Sequence, residues 1–84
     1  MQEIDWVREM YPDLLVMDGY DDCIIGVMHA FGSEARVAYD LDQVLTKLES
    51  DGMTREEAEE FWSYNQVGAY VGEHTPVFLE RAPA

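Results

Sequence analysis

Glu56, Glu59 and Glu60 recur at i, i+3 and i+4 within TREEAEEFW, a spacing that gathers them on one side of a helix. Carboxylates held in a cluster on a rigid helix suit a basic protein surface, and rows of them imitate the spaced phosphates of nucleic acid. Asp42 and Glu49 lie two turns apart along one side of the preceding helical stretch and extend the acidic character. These five residues are the candidate partner-binding set. Two plainer readings stand beside it: a solvated face that keeps a small protein in solution, and the lysine-poor, acid-rich composition of proteins from salt-accumulating organisms.

The other reactive side chains offer less. Asn65 falls on the apolar side of the second helical stretch, where its amide is expected to satisfy backbone groups of the loop from Gly72 to Thr75, since buried polar groups need partners. Cys23 and His29 are separated on a strand by roughly 20 Å, so they cannot share a metal ion within one chain. His74 with Glu73 lacks ligand spacing, and Asp18, Asp21 and Asp22 are out of register for a calcium loop. No metal and no cofactor is expected. Cys23 heads an apolar strand, where a thiol is inert, and Ser33, Ser50 and Ser63 fall in a turn, at a helix end and on an exposed helix face. No glycine-rich phosphate loop is present, and Gly68-x-x-x-Gly72 is a lone packing spacing. Tyr70, Glu73 and His74 remain as a possible loop site. No catalytic residue emerges.

Two capped helices position these groups. Asp40, with Gln43 three residues on, predicts the start of a helix whose buried side is Leu41, Val44, Leu45 and Leu48. Gly52 supplies its stop. Thr54 with Glu57 predicts a capping box for a second helix, whose apolar side takes Ala58, Phe61, Trp62, Asn65 and Ala69. Ahead of the pair, Ile4, Val7, Met10 and Tyr11 face inwards on a short helix that Pro12 stops, with Trp6 off the stripe. Leu14 to Met17 is left unassigned. Cys23 to Phe31 reads as a strand, apolar on both sides and therefore central. Gly32-Ser33-Glu34 turns the chain into a second strand, Ala35 to Tyr39, with Val37 and Tyr39 alternating against Arg36 and Ala38. Val77 to Leu79 forms a third strand before a frayed Glu80-Arg81 tail. The expected architecture is a small α+β domain: hairpin, two-helix crossover and third strand, with an additional amino-terminal helix. Placing the most apolar strand centrally gives the strand order 2-1-3, with the third strand parallel to the first, over the alternative 1-2-3.

The chain of 84 residues is expected to form one domain, with helix and connector at 1–17 and a ββααβ core at 18–80. Eighteen acidic against five basic residues give a net charge of −13. Phosphate neutralisation needs cations, so nucleic acid and anionic membrane are poor direct partners and a basic protein surface is a good one. The single cysteine cannot close an internal disulfide, and no signal peptide or membrane-length apolar run is apparent. The oligomeric state stays open.

The combination YDDCIIGV, a tyrosine-aspartate helix entry and DGMTREEAEEFWSYNQVGAYVGEHTPVF resembles a group of small acidic proteins of unassigned function encoded by tailed bacteriophages and prophages. The matching positions are Glu57, Ala58, Phe61, Asn65, Gly68, Ala69, Tyr70, Val71, Gly72 and Glu73. The likeness covers about Asp18 to Phe78. It implies a setting, the cytoplasm of an infected bacterial host, and not a mechanism, and it carries over no catalytic residue. The expected function is that of a non-enzymatic phage accessory protein that binds a host or viral protein, with its carboxylate face as a nucleic-acid mimic. Alternatives are a small metal-dependent enzyme or regulator around Gly72 to Pro76, and a virion or assembly component.

Overall fold

A computed structural model describes residues 3–67 and 74–83. Its elements in order are α1 (Glu3–Met10), a 3-10 turn (Asp21–Cys23), β1 (Ile24–Met28), β2 (Arg36–Asp40), α2 (Leu41–Ser50), α3 (Arg55–Trp62), a π-helical turn (Ser63–Val67) and β3 (Val77–Leu79). The class is α+β, a mixed three-stranded sheet with helices packed on it.

α2 is the helix its spacing predicts. Leu41, Val44, Leu45 and Leu48 are all buried, and a fully buried aliphatic side chain contributes about 1.5–3 kcal/mol. The Asp40 carboxylate accepts the Gln43 N–H at 3.2 Å, so β2 ends and α2 begins on one residue. At the other end Gly52, at φ +105°, takes the left-handed conformation that a side chain resists. The Gly52 N–H donates to Glu49 O at 3.0 Å and the Met53 N–H to Leu48 O at 3.4 Å. Those two bonds are a Schellman closure, and Met53 completes it by packing against the core. α3 opens on the full capping box: the Thr54 hydroxyl accepts from Glu57 N at 3.1 Å, and the Thr54 N–H donates to the Glu57 carboxylate at 2.9 Å.

The strand order corrects the expected one. It is β1-β2-β3, with β1 antiparallel and β3 parallel to β2. β2 is the central strand, and Val37 and Tyr39 are fully buried. β1 is an edge despite its apolar character, because α1 packs against it and uses that character: Ile4 and Val7 share the core with Cys23 and Ile24. The helical pair does not simply return the chain to the far end of β2. His74 and Thr75 dock at the near end, where the His74 Nδ1–H donates to Ala35 O at 3.1 Å and Arg36 Nη1 donates to Thr75 O at 3.1 Å. From there β3 must run with β2.

β1 is also shorter than the expected Cys23 to Phe31. Cys23 closes the 3-10 turn and lies outside the strand's alternation, so it and Ile24 both turn inwards, and a bulge between Ile24 and Gly26 then shifts the register of the residues that follow. His29 and Ala30 lie beyond the strand and Phe31 is fully exposed. On α1 Ile4 and Val7 are buried, but Met10 is 59% exposed: the helix ends there, and Tyr11, half-buried, stacks edge-on with Trp6 at 5.6 Å. The connector supplies Leu14, Val16 and Met17 to the core. It is tied down by the buried Tyr39 hydroxyl, which accepts the Met17 N–H at 2.7 Å.

Candidate functional site

The three glutamates of α3 stand where their spacing puts them. Glu56, Glu59 and Glu60 are exposed, on the side away from the buried Ala58. None of them takes part in an ion pair among the described residues. Three of the chain's cations are committed elsewhere. Lys47 holds Asp22 at 3.0 Å, Arg81 holds Asp40 at 2.8 Å, and Arg36 is spent on the Thr75 carbonyl.

Arg55 separates the expected acidic set into two groups. As the first residue of α3 it reaches back to α2, donating from Nη2 to Asp42 at 2.7 Å and from Nη1 to Glu49 at 2.8 Å. Asp42 and Glu49 are therefore a clamp that ties α2 to α3, and their charge is partly cancelled. Among the described residues, the carboxylates of the helical pair that have no cation are those of α3. Glu57, next to them, is occupied by its cap, and the Thr54 N–H holds its carboxyl below the ordinary carboxylate value.

Asn65 is corrected. It is exposed, and among the described residues its Nδ2 donates to Phe61 O, one turn back, at 3.2 Å, while Gly72 and Glu73 of the loop it was expected to satisfy lie outside the described residues. The α-helix ends at Trp62, and in the π-helical turn that follows each residue advances less around the axis than an α-helix would allow. The periodicity that placed Asn65 inwards stops applying there. Phe61 is likewise 37% exposed. Trp62 takes the inward position, packing edge-on against Phe78 at 5.7 Å, and its enclosed Nε1–H has no partner among the described residues.

Of the possible loop site, Tyr70 and Glu73 lie outside the described residues, as do Gly68, Ala69, Val71 and Gly72. His74 is used to anchor the chain beside β2. Among the described residues no group of three or more histidine, cysteine or acidic side chains is placed to hold a metal ion. Cys23 is buried, and burial together with the neighbouring Asp22 charge pushes its thiol up to about 11, so at neutral pH it carries no nucleophilic thiolate.

Reading the sequence missed a groove beside these carboxylates. It encloses about 650 Å³ between the first turn of α2, the α3 face that carries Glu59 and Trp62, and the chain after β3. Its far wall is Glu80, Arg81 and Pro83. The tail is not frayed: the Arg81 Nε–H donates to the Asp40 carboxylate, which is only 5% exposed. Burial raises the Asp40 carboxyl, but the Arg81 guanidinium and the Gln43 N–H outweigh it and hold it below its ordinary value. The one signal in the sequence was a lone arginine in the short tail Glu80-Arg81-Ala82-Pro83.

Comparison with protein-family models, with curated proteins and with solved structures finds no match to the chain. No helix among the described residues is long and apolar enough to cross a membrane.

Proposed function

We propose that the protein is a non-enzymatic binding module that engages a basic protein partner through the carboxylate face of α3, as an accessory protein of a bacteriophage acting in the cytoplasm of its host. One observation carries this reading: Glu56, Glu59 and Glu60 are exposed and have no cation among the described residues, while Asp42 and Glu49 at the helical pair's junction are clamped by Arg55. With a net charge of −13 behind them, they form a fixed negative surface that a nucleic-acid-binding protein accepts in place of phosphates. The phage setting rests on the sequence resemblance. Steering by such a surface speeds association and weakens as salt rises, because exposed charges are screened beyond roughly 8 Å at physiological ionic strength.

The test is affinity purification from phage-infected bacteria, followed by titration of the captured protein at increasing salt and against duplex DNA. The expected partner has a basic surface, binds less tightly as salt rises, and is displaced by DNA. A captured partner that is neutral or acidic, indifferent to salt and unaffected by DNA would remove the reading.

A further inference from the structure

We propose that the groove between α2, α3 and the carboxy-terminal tail receives an arginine-bearing extended segment of the basic partner, an inference that rests on the function proposed above and assigns part of its contact. The groove differs from a merely acidic surface in having an apolar floor and a charge pattern with a vacancy of one sign. Leu41, Leu45 and Trp62 contribute its apolar lining. Its two resident cations are already matched, Arg55 by Asp42 and Glu49, and Arg81 by the buried Asp40. Glu59 and Glu80 are left as lining carboxylates with no cation among the described residues.

A side chain that fits must bring positive charge on a long apolar stem. Lysine and arginine both do so, but the surroundings favour arginine. Its planar guanidinium donates to carboxylates in a fork and stacks on aromatic rings, whereas the ammonium of lysine is a compact and more strongly hydrated charge. The groove already shows the chemistry, since the guanidinium of Arg81 is held in its wall by a carboxylate at 2.8 Å. The volume of about 650 Å³ exceeds what one side chain fills, which leaves room for the backbone on either side of it. Glu59 belongs both to the groove and to the α3 face, so a basic segment entering here lies against Glu56 and Glu60 as it leaves.

The test uses the full chain carrying Trp6→Phe, which leaves Trp62 as the single indole. The probe is a capped peptide of alternating glycine and arginine, with the glycine-lysine peptide as control, titrated at physiological ionic strength. The arginine peptide should shift Trp62 emission saturably and bind more tightly than the lysine peptide. Removing the lining charges with Glu59→Gln/Glu80→Gln should weaken it about tenfold, the scale of a lost charge-assisted hydrogen bond. The charge-matched Glu56→Gln/Glu60→Gln should weaken it far less. Equal losses in both double variants, or binding without a change in Trp62 emission, would overturn the groove and leave diffuse attraction to the acidic face. Failure of the parent protein to bind either peptide would overturn the groove and the function beneath it.

Discussion

The Tyr39 hydroxyl joins two stretches distant in sequence through one hydrogen bond. The ring lies at the centre of the sheet, fully buried, and the oxygen accepts the Met17 N–H at 2.7 Å. Burial raises the phenol above its ordinary value, so it stays neutral. Tyr39→Phe keeps the ring and strips Met17 of its acceptor. It should cost about 1–3 kcal/mol, the penalty for a polar group left without a partner, read as a lower urea midpoint with an unchanged slope. An unchanged midpoint would mean that water reaches the Met17 amide. Val37 and Tyr39 are legible from alternation, because the central strand keeps a period of two. Asn65 is not, because a helical period has no way to announce the residue at which a π turn replaces it.

At the scale of elements, the caps are the most legible features because each depends on residues a few positions apart. Thr54→Ala removes one half of the capping box and frees the Glu57 N–H, so it should destabilise the domain by about 1 kcal/mol. Chemical denaturation checks this, and a loss below a few tenths would mean that the cap is not formed in solution. The junction at Asp40 carries a pH dependence. Its folded carboxyl lies below the ordinary value of 3.8, so its stabilising contribution is present above that value and is lost as pH falls through the folded one. Asp22, lowered by its hydrogen bond from Lys47, and Glu57 act in the same direction. The melting temperature should therefore fall as pH drops below about 4. Asp40→Asn, which keeps a cap acceptor without the charge that Arg81 holds, should fall less steeply. Parallel profiles would place the acid-sensitive group elsewhere.

Strand order was beyond such local reasoning. The apolar character of β1 is the same whether a neighbouring strand or α1 covers it. The direction of β3 is decided by His74 and Thr75, which bond to Ala35 and Arg36 far away in sequence. The groove was hidden for the same reason. Arg81 meets Asp40 only because β3 lies beside β2, with Leu79 opposite Asp40.

For the whole molecule the controlling quantity is charge. Five cations serve eighteen carboxylates, and the structure spends Lys47, Arg55 and Arg81 on ion pairs that join one element to another. The exposed pairs of Lys47 and Arg55 contribute about 0–1 kcal/mol each, so their larger effect is on where negative charge remains. It remains on exposed carboxylates over much of the chain, and on the helical pair it is gathered on the outer side of α3, where Glu56, Glu59 and Glu60 repel one another at helical spacing and contribute nothing to the core. Reversing their charge should therefore spare the fold. The direct measurement is capture of partner proteins from infected cells by the parent and by Glu56→Lys/Glu59→Lys/Glu60→Lys, after circular dichroism and melting have shown the variant to be folded. The account predicts that the variant folds like its parent and loses the basic partner at low and high salt alike. A folded variant that retains every partner with the parent's salt dependence would contradict it, and the acidic face would then be a solvated surface.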